Sequence, residues 1–238
     1  MHGQPPHLVP RSFTGQSWRD VVFLHWRAAP EAVAPLLPPG VEPDLVDGSA
    51  WIGVIGLRMT DLSLAGVPYP SFLELNVRLY GKDADGRQGV VFRAMEASDP
   101  VFAAASRAAL RLPYTWASMR FARVGDRISY ATRRILPGAE RAGVRMRMEV
   151  GEPVTRPTPA EISLTARWSL HQRWYGPTLR VPVHHDPWPL HRTDLLEWHD
   201  DGLLAACGLP ALPGPPESVL YAPATTVRIG LPERLTPR

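Results

Sequence analysis

Between residues 72 and 80 the chain reads FLELNVRLY, with polar and aliphatic residues at alternate positions. Successive side chains in a strand point to opposite faces, so Glu74, Asn76, Arg78 and Tyr80 share one side and Leu73, Leu75, Val77 and Leu79 the other. A turn, GKDADGRQG, and a return strand, GVVFRAMEA, complete an antiparallel hairpin. GVRMRMEV alternates in the same way, with Val144, Met146, Met148 and Val150 on the inner face and Arg145, Arg147 and Glu149 on the outer one. Residues 18–27, WRDVVFLHWR, predict another strand. A further strand runs from Ala50 to Met59 after the Asp47–Gly48 turn, and Gly53 and Gly56 within it mark bends or the close approach of another backbone. LPYTWASMRFARVGDRISYATRRI predicts two strands about a Val-Gly-Asp turn. LRVPVHHDPWPLHRTDLLEWH and SVLYAPATTVRIG supply three more short ones.

Helix signals are fewer. Pro30 opens PEAVAPLLPPG and Gly40 lies beyond its end, which predicts two helical turns. Asp99 caps and Pro100 begins a helix of small apolar residues. Thr158, Pro159 and Glu161 form a capping box that starts a third. A small apolar helix is expected from Leu203 to Cys207. About ten short strands and four short helices, with 27 prolines scattered end to end, predict an α+β fold built mainly of antiparallel sheet, curved or closed into a barrel. No linker divides the chain. Residues 1–14, which include an LVPRS stretch resembling a thrombin cleavage sequence, are set aside as a flexible tail, and 15–238 are expected to form a single domain.

Composition narrows the chemistry. The chain is 45% hydrophobic and 21% charged, with a formal net charge of +3 and a pI near 9.3. Lys82 is the only lysine; the other 25 basic residues are arginines. Imine chemistry must therefore use Lys82, which lies in a solvated turn. A single cysteine, Cys207, excludes an intrachain disulfide and a cysteine-based zinc cluster. No apolar run approaches a membrane span, and MHGQPPHLVPRSF lacks a secretory pattern, so a cytoplasmic location is expected. Arginines 120, 123, 127, 133, 134, 141, 145 and 147 crowd one region, but most fall on the outer faces of strands or in loops, without the interleaved aromatics of a nucleic-acid surface. No nucleic-acid partner is expected. His184 and His185 point to opposite faces of a strand, so a hydrogen-bonding role is expected of them rather than a shared metal. No phosphate-binding glycine loop, His-Glu-x-x-His pair or Gly-x-Ser-x-Gly elbow occurs, and no cofactor or metal is implied.

The polar face of FLELNVRLY is either a wet outer surface or the lining of a cavity, and the pattern alone leaves both open. A resemblance decides between them. FLHWR, LLPPGVEPDLVDGSAWIGVIGLRM, FLELNVRLY, GVVFRAMEA, LPYTWASM and VHHDPWPL follow one another as in the YqjF-like family of uncharacterised bacterial proteins, over about residues 18–230. That family belongs to the acetoacetate decarboxylase-like superfamily, so the resemblance implies a cone-shaped antiparallel β-barrel enclosing a small-molecule pocket lined by the polar face. Arg27 matches the context of an arginine the decarboxylase uses, and Glu74 the position of its glutamate. Its paired lysines fall on LPYTWAS, where Tyr114 and Thr115 stand instead.

Two functions follow from this resemblance. One is a small-molecule-binding protein holding an organic acid with Arg27, Glu74, Asn76, Arg78 and Tyr114, together with His25, His185 and Trp188 from the quoted motifs. The other is a non-covalent acid/base enzyme, of lyase or hydrolase type, with Glu74 as its catalytic residue. An Arg27–Glu74 pair, with Glu74 ionised, is expected at one end of the pocket. Self-association into a homo-oligomer stays open.

Overall fold

The computed structural model describes residues 12–64, 66–138, 141–212 and 214–235. The chain begins with β1 (Ser12–Ala28), α1 (Pro30–Val33) with a 3-10 turn behind it, β2 (Val41–Pro43), β3 (Ala50–Leu64), β4 (Val67–Pro68) and β5 (Phe72–Asp83). It continues with β6 (Gln88–Ala97), α2 (Pro100–Leu110), β7 (Tyr114–Val124), β8 (Arg127–Leu136) and β9 (Gly143–Pro153). The last third holds α3 (Pro159–Thr165), β10 (Ser169–Arg173), β11 (Thr178–His185), β12 (His191–Asp200), α4 (Leu203–Ala206), β13 (Ser218–Gly230) and β14 (Glu233–Arg234). The result is a mainly β, mixed α+β fold with few helices. The strands beyond the expected ten include the short edge pieces β2, β4 and β14. β1 starts at Ser12, inside the stretch set aside as a tail; residues 1–11, with most of LVPRS, lie outside the described residues. Among the described residues no helix is long and apolar enough to cross a membrane.

Strand pairing places the site. β13, β1, β3, β5 and β6 form an antiparallel wall, and the wall forks at both ends. The free edge of β6 pairs in parallel with β7 through Met95–Ala97 and with β10 at Val90. The free edge of β13 pairs with β12 at Leu220 and Tyr221, and with β11 at Val227–Ile229. One branch runs β7–β8–β9–β12 and the other β10–β11, so the hydrogen bonding returns to its start by two routes.

Each face of the wall therefore has its own cover. Val22, Leu24 and Trp26 of β1 join Leu75, Val77 and Leu79 of β5 in a core completed by Ile128, Tyr130, Val144, Met146 and Met148. This is the apolar face of FLELNVRLY, and it packs against the Val144, Met146 and Met148 face of GVRMRMEV. The opposite face of β1 sends Val21 and Phe23 into a second core with Ile55, Leu57, Met95, Tyr114 and Trp188. The polar residues of β5 lie on this second side. Gly53 and Gly56 are approached by side chains rather than by backbone. A Cβ on Gly53 would sit 2.6 Å from the Tyr80 hydroxyl and 3.2 Å from Cγ of Arg78, and one on Gly56 2.8 Å from Cε of Met146.

Helix starts follow their caps. Asp99 accepts from the Phe102 amide at 2.7 Å, and Thr158 and Glu161 make the capping box of α3 reciprocally. α3 ends against the second side of the wall, with its last carbonyls turned to the site.

Candidate functional site

Glu74, Asn76, Arg78 and Tyr80 are all buried. Tyr114, at the start of β7, donates to Oε2 of Glu74 at 2.7 Å. Asn76 donates to Oε1 at 3.3 Å. Tyr114 reaches Glu74 because the parallel β6–β7 pairing sets it beside Met95, which itself pairs with Asn76. Burial raises the pKa of Glu74, and the two donors only partly offset it. Burial beside that carboxylate holds the Tyr114 phenol well above its usual range.

Arg78 lies further along β5. It pairs with Gly53, which pairs in turn with His25, so three strands place one row across the wall. The absent side chain of Gly53 is what lets Arg78 and Tyr80 lie over β3. Arg78 donates through Nε to the Tyr80 hydroxyl at 3.0 Å and through Nη2 to the Leu164 carbonyl, in the last turn of α3, at 3.1 Å. Neither partner carries a formal charge. Phe23 and Tyr80 present their rings to the guanidinium at 5.8 and 5.3 Å.

His25 is fully buried, with Nδ1 3.4 Å from the Ser218 hydroxyl. Desolvation, then the charges of Arg78 and Arg167, push its pKa well below 6.5, so the ring is neutral. His185 is held at about 4, chiefly by burial. Its Nδ1 takes the Asp186 carbonyl at 2.7 Å, and its ring stands 4.8 Å from that of Trp188. Trp188 packs edge-on against Phe23 at 5.1 Å and donates to the Thr165 carbonyl at 2.9 Å.

Arg27 stands elsewhere, and the expected Arg27–Glu74 pair is not formed. Along β3, Arg27 pairs with Trp51 and Glu74 with Leu57, a separation of about 20 Å at strand rise. Arg27 is half-exposed, bonded to Glu217 at 2.7 Å, close to Asp47 at 3.6 Å and stacked on Trp51 at 4.6 Å. Lys82 also lies away from these groups, at the β2 edge with Glu42 at 3.2 Å.

Two groups near the site were not foreseen. Arg167, just after α3, is buried in an ion pair with Asp44 and stacks on Tyr80 at 4.9 Å. On the other side of the wall Glu96 is bonded to Arg134 at 2.7 Å and to Thr115 at 2.8 Å. Arg167 and Asp44 belong to irregular segments 123 residues apart, where no periodicity signals a partner. The burial of Glu96 was legible only as one of two charges, with Arg93, in the mostly apolar GVVFRAMEA.

The architecture is shared with the acetoacetate decarboxylase-like proteins. The enduracididine biosynthesis enzyme MppR complexed with pyruvate superposes with a TM-score of 0.65 at 19% identity, over 97% of this chain and 92% of its own. Acetoacetate decarboxylase from Legionella pneumophila does so with a TM-score of 0.64 at 13% identity, over 97% and 90%. Within that fold the chain belongs to the DUF2071 family, described as "Uncharacterized conserved protein", whose profile matches residues 15–226. The uncharacterized protein YqjF of Bacillus subtilis (strain 168) is 29% identical over 190 residues, 75% of each chain.

Proposed function

We propose that this protein binds a small organic acid in a polar pocket within a cone-shaped β-barrel, and that Arg78 holds the carboxylate. The observation that carries this reading is the state of Arg78. Three other buried arginines have carboxylate partners: Arg134 with Glu96, Arg167 with Asp44 and Arg180 with Glu233. Arg78, 5% exposed, has none among the described residues. A buried charge left uncompensated costs several kcal/mol, and a ligand carboxylate would meet the guanidinium fork in a strong, charge-assisted pair. Asn76 and the Glu74–Tyr114 pair form the other polar end, while His25, His185 and Trp188 wall the space between. A neighbour in fold that is described as complexed with pyruvate is in keeping with a ligand of this size. The same reading takes 15–238 as one cytoplasmic domain with no nucleic-acid partner.

The test is native mass spectrometry of the protein soaked in small organic acids, neutral sugars and amines, beside Arg78→Met. Acids alone should be retained, and the variant should lose at least about tenfold in affinity. Because it removes an unpaired buried charge for a side chain of similar volume, the variant should fold with unchanged or higher stability. Retention of neutral or cationic compounds, or undiminished acid binding by Arg78→Met, overturns the proposal.

A second reading, an acid/base enzyme, is favoured by Glu74 itself: a buried carboxyl with a raised pKa, bonded to a phenol and far from Arg27. Imine chemistry is set aside because Lys82 lies at the β2 edge. Turnover of a retained acid that is lost in Glu74→Gln, with binding intact, selects this reading.

A further inference from the structure

We infer that the acid is a hydroxy acid, its hydroxyl group donating to Asn76 and accepting from His25 beside the Arg78-bound carboxylate. This rests on the carboxylate reading above and adds to it the group next to the carboxylate. Two buried polar atoms on the Arg78 side of the site stand without a partner. Oδ1 of Asn76 and Nε2 of His25 are shielded from solvent and have no hydrogen-bond partner among the described residues. Buried polar atoms are otherwise almost always paired, and each one left open costs about 1–3 kcal/mol.

Their chemistry sorts the candidates. Asn76 spends its amide nitrogen on Oε1 of Glu74, which leaves the oxygen facing inward. His25 has the Ser218 hydroxyl beside Nδ1; with that hydroxyl donating to Nδ1, the ring proton stands on Nε2. One opening therefore requires a donor and the other an acceptor. An ammonium group would donate to Asn76 but offer nothing to His25, and it would stand close to two guanidiniums, Arg78 and Arg167, whose charges already act on His25. A hydroxyl both donates and accepts, without charge. Position agrees: Asn76 is two residues from Arg78 on the same face of β5, and His25 lies in the Arg78 row with only Gly53 between. A keto oxygen in the same place could accept from His25 but would face the Asn76 oxygen, acceptor against acceptor. The walls offered by Phe23, Tyr80 and Trp188 suit an apolar substituent on the acid.

Matched acids test this on the unaltered chain by isothermal titration calorimetry: lactate, pyruvate and propionate, then mandelate, phenylglyoxylate and phenylacetate. The hydroxy acid of each trio should bind at least about tenfold tighter than its keto and deoxy partners. Asn76→Ala combined with His25→Phe should abolish that preference while leaving acid binding in place. Equal affinities within each trio, with binding still dependent on Arg78, overturn the hydroxyl assignment and leave the carboxylate reading intact. Preference for the keto acid, the result expected if the Asn76 amide is turned over and offers its nitrogen, also overturns it. Absence of binding by all six acids rejects both readings together.

Discussion

At Glu74, burial and hydrogen bonding act in opposite directions on one proton. Desolvation favours the neutral carboxyl, the donors Asn76 and Tyr114 favour the carboxylate, and desolvation prevails. The folded chain then keeps this proton above the pH at which the unfolded chain, with a carboxyl pKa of about 4.3, releases it. Its contribution to stability is therefore greatest at low pH and declines as pH rises from the unfolded pKa through the raised folded one. An arginine partner would have given the opposite sign. Glu74→Gln removes the titration, so its stability relative to the parent should climb across that window in urea unfolding from about pH 4 to about pH 8; a relative decline would contradict the assignment. Tyr114→Phe leaves one buried carboxyl oxygen without its donor. It should cost about 1–3 kcal/mol and move the Glu74 pKa further up, which a carboxyl NMR titration would read.

Among the elements, β3 has little latitude at Gly53. Where Gly53 stands, a Cβ would meet the Tyr80 hydroxyl and Arg78 Cγ at separations that force something to move. Neither side chain is free to do so, since Tyr80 is fully buried and bonded to Arg78. Gly53→Ala should cost about 1–3 kcal/mol by overpacking and weaken acid binding. Gly15→Ala, at an exposed position of β1 with no atom near the added carbon, should stay within about 0.5 kcal/mol of the parent. Thermal unfolding of the two variants side by side measures the difference. The sequence shows glycines inside a strand, which announce a close approach; it does not show what approaches, because Tyr80 arrives from the next strand.

Across the whole molecule, local patterns carried most of the elements and few of the distant pairings. The faces of β5 and β9, the hairpin of β5 and β6, and the starts of α2 and α3 are written in contiguous stretches of chain. The fork of the wall and the Arg27–Glu217 contact, across 190 residues, depend on where strands end relative to one another, which alternation does not encode. The shared wall also implies one cooperative unfolding event. Trp26 and Trp198, 5.0 Å apart, report on one side of it, and Trp18 and Trp188, 6.1 Å apart, on the other. Fluorescence of Trp188→Phe and of Trp198→Phe should each follow the same denaturant midpoint as that variant's circular dichroism. Separate midpoints would mean that the two sides melt independently.

The alternation of β1 and β5 between two unlike surroundings also acts as a proofreading device. Sliding β5 by one residue would carry Glu74, Asn76 and Arg78 into the greasy side beside Met146 and Met148, and Leu75, Val77 and Leu79 among the rings and guanidiniums opposite. Every position would be wrong at once. Misthreaded chains are thus rejected by all of their side chains together. Over evolutionary time, single-residue insertions and deletions should be tolerated in the solvated 84–87 turn and purged from the strand it follows.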